Sequence, residues 1–151
     1  MTGPSFRFRL ERVRVVRERR EKLAQRELAD AITRRSSSVA ELRDADAELE
    51  HAREQQRSVI DGGAVSAADL LAGQAFLERT EAQRRVREHD LQRSDAEVAQ
   101  RDAELTTAAS EHKMLQRLSD RRRSEHALEL ARRELGALDE IAVARFRRGR
   151  A

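Results

Sequence analysis

The chain has 151 residues, of which 38% are hydrophobic and 39% charged, and its four aromatic side chains are all Phe. So few apolar residues cannot fill a large globular core, which leaves a disordered polyelectrolyte or a coiled coil. The formal net charge is +3, and cysteine is absent, which excludes disulfides and thiolate metal sites and fits a reducing cytoplasm.

Helix one is predicted from about residue 6 to residue 60. Neither proline nor glycine occurs between positions 5 and 61, and residues of high helix propensity dominate this stretch. Its side chains keep a heptad period, which favours a coiled coil over disorder. The predicted seam consists of Leu28, Ala31, Arg35, Ser38, Leu42, Ala45, Leu49, Ala52, Gln56 and Val59.

Helix two is predicted from about residue 66 to 147, after a turn at 61–65 that contains Gly62 and Gly63. Ser66 followed by Asp69 has the spacing of a capping box. The seam of this helix slips its register after Leu115. Before the slip it consists of Leu91, Ser94, Val98, Arg101, Leu105, Ala108, His112 and Leu115, and after it of Leu118, Arg121, Glu125, Leu128, Ala131, Leu135, Leu138 and Ala142.

These elements predict one all-α domain over residues 1–151: an antiparallel two-helix coiled-coil hairpin whose second helix is the longer. Folding about Gly62-Gly63 would pair residue i with approximately residue 126 − i, because both helices rise equally per residue. Helix two would then extend beyond its partner after about Asp120. An apolar stripe without an internal partner indicates an external one.

Charge is distributed unevenly along the chain. Residues 1–35 carry eleven basic and five acidic side chains, residues 36–112 nine and seventeen, and residues 113–151 eleven and six. A hairpin would bring both basic segments to its open end and leave the acidic segment at the turn. This polarity could orient the protein towards charged partners, or it could simply keep a coiled coil soluble.

No catalytic or cofactor motif is present. Neither lysine follows a glycine-rich phosphate loop, and Glu48 with His51 is a single Glu-x-x-His motif where a di-iron bundle needs two. We therefore predict no enzyme, no metal and no cofactor. The sequence pI of about 10.3 suggests DNA or anionic lipid as alternatives. However, Glu11, Glu18 and Glu21 interrupt the basic segment, which argues against nucleic-acid binding.

Both ends of the chain resemble the flagellar FliJ family. The N-terminal match is the phrase Phe6-Arg7-Phe8-Arg9-Leu10-Glu11-Arg12-Val13, followed by Arg17, Glu21 and Leu28-Ala29. The C-terminal match consists of Glu111, Leu115, Leu118, Arg121-Arg122-Arg123, Glu125, Leu138-Asp139-Glu140-Ile141-Ala142 and Arg145-Phe146. Arg14 departs from the pattern, since an apolar residue often follows the Val.

The resemblance implies a cytoplasmic, non-enzymatic component of the flagellar type III export apparatus, peripheral to the membrane. Its implied partners are the hexameric export ATPase, the membrane export gate and flagellar export chaperones. The projecting part of helix two is then the expected ATPase-ring contact. That contact would comprise Leu128, Arg132, Arg133, Leu135, Leu138, Ile141, Arg145 and Phe146.

Two smaller sites are predicted as well. Phe76 and Leu77, near the turn, are expected to touch the export gate, because aromatic anchors are enriched at interaction hot spots. Phe6, Phe8, Leu10 and Val13 are expected to form a hydrophobic clasp against helix two. Two other functions remain open: a structural or nucleoid-associated basic coiled coil, and the equivalent stalk of a virulence type III secretion system. Monomer and dimer are both compatible with these polar seams.

Overall fold

The computed structural model describes residues 5–63 and 65–149. Within these residues there are two α-helices and no strand: α1 spans Glu11–Asp61 and α2 spans Ala67–Arg148. The helices pack against each other through side-chain pairs far apart in sequence, such as Ser38 with Ser94. This confirms the prediction of an all-α hairpin with a longer second helix.

The first helix starts at Glu11, whereas the sequence predicts a start near Phe6. Residues 5–8 form no regular secondary structure, residues 9 and 10 form a turn, and the Glu11 backbone N–H donates to the Phe8 carbonyl oxygen at 3.1 Å. Phe6 and Phe8 are half-buried while Arg7 is exposed. This period of two belongs to an extended segment, and it keeps both rings on one side of the chain.

Helix α1 ends in a glycine cap. Gly63 adopts a positive φ of 77°, and its N–H donates to the Ile60 carbonyl oxygen at 3.3 Å. This is the bond expected where a left-handed residue closes a helix. Gly62 has no positive φ, so of these two glycines only Gly63 needs the left-handed conformation.

The two glycines should respond differently to replacement by Ala. We expect Gly63→Ala to lower the free energy of unfolding by about 1 kcal/mol, because a Cβ is strained at this φ. Gly62→Ala is the matched control: its Cβ would meet only backbone oxygens at ordinary contact distances, 3.5 and 3.6 Å. Thermal melting by circular dichroism compares the variants, and an equal loss of stability in both would contradict the assignment.

Helix α2 begins with the predicted capping box. The Asp69 N–H donates to Ser66 Oγ at 3.1 Å, and the Ser66 N–H donates to Asp69 Oδ2 at 3.3 Å. Two N–H groups that lack an intrahelical acceptor are thereby satisfied. The box fixes the direction in which α2 leaves the turn.

The chain forms two compact units. The turn unit, residues 23–63 and 65–106, is held by a narrow seam of small residues. Ala31 is 1% exposed and Leu49 is 5% exposed, and no large side chain among the described residues is completely buried. Alanine lets two helix backbones approach closely but removes little apolar area from water. The buried apolar residues of this unit are Ala24, Ala31, Ala45, Leu49 and Ala52.

Arginine–carboxylate pairs connect the two helices beside this seam. Arg34 Nη2 lies 2.6 Å from Glu97 Oε1, and Arg87 Nη1 lies 2.6 Å from Glu41 Oε2. Each such pair is partly exposed and stabilises the fold by less than about 1 kcal/mol, but several occur on a seam with little apolar area. The other pairs are Arg35 with Asp95, Arg53 with Glu81, Arg84 with Asp46, and Arg101 with Glu27.

These ion pairs predict that acid destabilises the hairpin. The hydrogen bond that Arg34 of α1 donates lowers the pKa of Glu97 in α2 below its ordinary 4.5. Within α2, the hydrogen bonds from Gln100 and Arg101 also lower the pKa of Glu104. A lowered carboxyl pKa contributes stability that is fully present above the unfolded-state value. That contribution is lost as the pH falls through the folded-state pKa.

We therefore expect the melting temperature to fall between about pH 5 and pH 3, within the range in which acidic side chains titrate. The measurement is circular-dichroism melting over that pH range. Glu97→Gln should make the melting temperature depend less on pH, because a neutral amide replaces one of the carboxylates that titrate. A melting temperature that is constant or rises on acidification would contradict the proposed contribution of the pairs.

The pairing register differs from the prediction. Ser38 Oγ lies 3.0 Å from Ser94 Oγ, whereas pairing about Gly62-Gly63 would place Ser38 opposite Glu88. The connection between the helices runs from Gly62 to Ser66, so its centre lies further along the chain than the glycine pair. With this register, α1 pairs with residues of α2 that lie further along the chain than predicted.

The terminal unit, described over residues 5–22 and 107–149, also pairs the helices through polar groups. Arg17 forms an ion pair with Glu111, and His112 Nδ1 lies 2.6 Å from Glu21 Oε2. His112 Nε2 is buried without a hydrogen-bond partner. These contacts hold the first turns of α1 on α2.

The predicted register slip after Leu115 is wrong. The face of α2 towards α1 continues in the same heptad, with Ser119 only 6% exposed and His126 half-buried. Arg121 and Glu125, which the slip would place in the seam, are exposed. Leu118 is half-buried, but the apolar pattern from Leu128 onward belongs to another face of the helix.

Candidate functional site

An exposed apolar stripe runs along the last part of α2 in the terminal unit. Leu128, Leu135 and Leu138 are 61%, 63% and 62% exposed, and Phe146 is 65% exposed. Ile141, 51% exposed, lies beside them. Single exposed apolar residues are common, but regular helical spacing makes a continuous surface. The stripe consists of Leu128, Ala131, Leu135, Leu138 and Ala142, with Phe146 one turn further on.

The stripe does not continue the surface that packs on α1. That surface follows His112, Leu115, Ser119 and His126, and at 100° per residue its extension lies roughly 160° around the helix from the stripe. The two faces of α2 are thus nearly opposite. A partner can cover the stripe without displacing α1.

Arginine side chains flank the stripe. Arg132 and Arg145 have no ion-pair partner among the residues that the structure describes, whereas Arg133 is paired with Glu129. The two guanidinium groups are therefore available to an acidic surface. Of the predicted contact residues, Arg133 lies furthest from the stripe around the helix.

The start of α1 in the same unit is rich in exposed arginines. Its acidic side chains are engaged elsewhere: Glu11 with Arg14, Glu18 with Lys22, and Glu21 with His112. The exposed arginines Arg9, Arg12, Arg19 and Arg20 have no ion-pair partner within the described part of the chain. The carboxylates that interrupt the basic segment in the sequence are thus each paired with a basic side chain or with His112.

The extended N-terminal arm lies against α2. The Phe6 ring is 5.7 Å from the ring of His126, and the Arg123 guanidinium lies 5.8 Å from the Phe6 centroid. The structure half-buries Phe8 and leaves Leu10 and Val13 37% and 43% exposed. The arm therefore places its two rings, rather than its aliphatic residues, on α2.

The predicted gate contact lies in the turn unit. Phe76 is 49% exposed and Leu77 is half-buried. The Phe76 carbonyl oxygen accepts a hydrogen bond from Thr80 Oγ1 at 2.9 Å, and Thr80 is buried. The backbone at Phe76 is held while half of its ring surface faces water.

No assembled chemical centre occurs in the described part of the chain. No three metal-binding side chains come together there, and His51 Nε2 lies 3.0 Å from Gln55 Nε2. None of the described helices is long and apolar enough to cross a bilayer.

The stripe could be recognised in the sequence because leucines at heptad spacing mark one helix face. Sequence reasoning missed the Glu21–His112 pair and the cross-helix arginine pairs. Their signal is a charged residue flanking the seam on each helix, but its use requires the correct pairing register. Since the predicted register was displaced, these partners could not be matched.

Comparisons with known proteins give a family match and a fold match. The family model of the flagellar FliJ protein matches residues 6–151. A solved structure of a putative YscO homologue from Chlamydia trachomatis is similar in fold, with a TM-score of 0.74 and 17% identity over 91% of this chain and 93% of that chain. No curated protein matches the chain in sequence.

Proposed function

The chain belongs to the flagellar FliJ family, and from that premise we propose that it is a non-enzymatic coiled-coil component of flagellar protein export that binds the hexameric export ATPase. In this proposal it acts in the cytoplasm, peripheral to the membrane, and its terminal unit enters the ATPase ring. The export gate and flagellar export chaperones are its further partners.

The exposed stripe with its unpaired arginines is the observation that carries the proposal. Burying one leucine side chain stabilises a complex by roughly 1.5–3 kcal/mol, so a few of these residues suffice for specific binding. Arg132 and Arg145 add charge complementarity to a ring lined with carboxylates. Because the stripe faces away from α1, the hairpin can stay intact inside the ring.

The direct test mixes the full chain with the purified export ATPase. We expect the two proteins to migrate together in size-exclusion chromatography and the rate of ATP hydrolysis to rise. The same assay with an unrelated basic coiled coil controls for nonspecific charge attraction. If the chain neither migrates with the ATPase nor changes its rate, the proposed partner is wrong.

We assign the gate contact to Phe76 and Leu77 in the turn unit. Phe76 combines a held backbone with a half-exposed ring, which is the arrangement expected of an anchor that loses little entropy on binding. The surrounding segment is net acidic, so it differs in charge from the terminal unit. The two units can then serve separate partners.

Phe76→Ala should weaken binding to the export gate by about tenfold or more, because hot-spot rings contribute 2 kcal/mol or more. Binding is measured by isothermal titration with the soluble part of the gate. Leu71→Ala is the matched control, since Leu71 is 72% exposed on a different face of the same helix. Equal affinities for Phe76→Ala and the unaltered chain would remove the gate contact from this site.

A further inference from the structure

The flanking charges of the stripe are self-complementary. Arg132 precedes the midpoint of the stripe and Asp139 follows it, and neither has an ion-pair partner among the described residues. Both lie on the same edge of the stripe: Arg132 directly follows Ala131, and Asp139 directly follows Leu138. Two copies of such a helix, placed antiparallel, bring opposite charges together on that edge.

We propose that the stripe pairs with the same stripe of a second copy of the chain, in an antiparallel arrangement. Placing Leu135 beside Leu138 of the second copy also places Ala131 beside Ala142 of that copy. Leu128 then lies against the aliphatic stem of Arg145 of the second copy, whose guanidinium reaches water. Each stripe residue thus faces an apolar group of the second copy.

The charges select this direction over the parallel one. In the antiparallel pair, Arg132 lies within one helical turn of Asp139 of the second copy, and symmetry repeats the contact. A parallel pair would instead bring Glu134 towards Asp139 of the second copy and the two copies of Arg145 together. Like charges at these positions destabilise a coiled coil.

The hairpin leaves room for the second copy. The surface of α2 that packs on α1 and on the N-terminal arm ends near His126, on the opposite side of the helix from the stripe. The antiparallel overlap occupies only residues 128–145, about 27 Å of helix. Neither α1 nor the described residues before it, 5–10, occupy that part of the stripe face.

Self-pairing covers the surface that we assign to the ATPase, so the two complexes exclude each other. The inference itself does not depend on the ATPase contact, since it rests on the stripe and its charges alone. A dimer would keep the leucines out of water until the ring replaces the second copy. Dissociation of the pair would then precede ring binding.

The test is sedimentation velocity of the full chain between about 1 and 200 µM, without any ATPase, a range that brackets weak coiled-coil association. We expect a monomer–dimer equilibrium in the unaltered chain. Arg132→Asp and Asp139→Arg should each weaken it by about tenfold or more, because two attractive contacts become repulsive. The double variant should restore it, since the exchanged charges again attract.

Glu140→Arg is the matched control: it makes the same charge change one residue further on, on an exposed face away from the stripe. Its dimer constant should stay within about twofold of the unaltered value, as expected for a distant exposed charge. A chain that stays monomeric at every concentration would overturn the inference. A double variant as weak as the single ones would overturn the antiparallel register.

Discussion

A chain that ends at Asp120 should no longer stimulate the export ATPase. It retains the whole turn unit and the contacts of Arg17 and His112, but lacks the stripe and its arginines. Loss of several leucine contacts removes more binding free energy than exposed ion pairs can supply. The measurement is the rate of ATP hydrolysis against the concentration of added chain.

One substitution within the full chain should act nearly as strongly. Leu135→Asp places a carboxylate in the centre of the stripe, where burial against a partner would desolvate the charge. We expect the concentration for half-maximal stimulation to rise by at least tenfold, the loss expected for one buried leucine. Ala137→Asp is the matched control, because Ala137 is exposed on another face of the same turn.

Full stimulation by the truncated chain would exclude the stripe and place the contact on the paired part of the hairpin. Equal weakening by Leu135→Asp and Ala137→Asp would indicate a general effect of added negative charge. Circular dichroism of each variant accompanies the kinetics. We expect the helix content to be unchanged, because both substitutions lie on solvent-exposed parts of the helix. The two readouts separate lost binding from lost folding.

Ala31→Asp should destabilise the hairpin more than any other substitution considered. Ala31 is 1% exposed in the seam of the turn unit, so the new carboxylate would be buried against α2. Burying a charge without a partner of opposite charge costs about 3 kcal/mol or more. Against a seam of alanines this loss should leave the chain largely unfolded at 37 °C.

Ala29→Asp is the control for Ala31→Asp. Ala29 is exposed on the same turn of α1, so both variants lose the same helix propensity and gain the same charge. Urea titration followed at 222 nm gives the free energy of unfolding of each variant. Similar values would mean that the alanine seam contributes little and that the arginine pairs hold the helices together.

The sequence was sufficient to predict the two helices, the turn and the capping box, because each depends on local residues. Uninterrupted helix formers, Gly63 and the spacing of Ser66 and Asp69 act within a few residues of chain. High helix propensity predicts a start near Phe6, but the apolar–polar alternation of Phe6, Arg7 and Phe8 indicates that α1 starts later. Their period of two is visible in the sequence.

The pairing register could not be obtained in the same way. It depends on where the connection is centred and on which arginines meet which carboxylates across the helices, both non-local quantities. The stripe was identified correctly as a set of residues, but the sequence placed it in the hairpin seam after a register slip. Only the burial of Ser119 shows that α1 packs on the other side of α2.

The alanine seam has a consequence for how this hairpin can change over evolution. Alanine layers are alike, so sliding one helix by a heptad would exchange Ala45 for Ala52 with little loss of packing. The same slide would part Ser38 from Ser94, whose hydroxyls bond each other at 3.0 Å, and leave Ser38 facing an arginine and Ser94 facing an alanine. A polar pair inside an apolar seam can specify register in this way. In related chains with this pairing, we therefore expect the positions of Ser38 and Ser94 to covary, while the alanine positions drift independently among small residues.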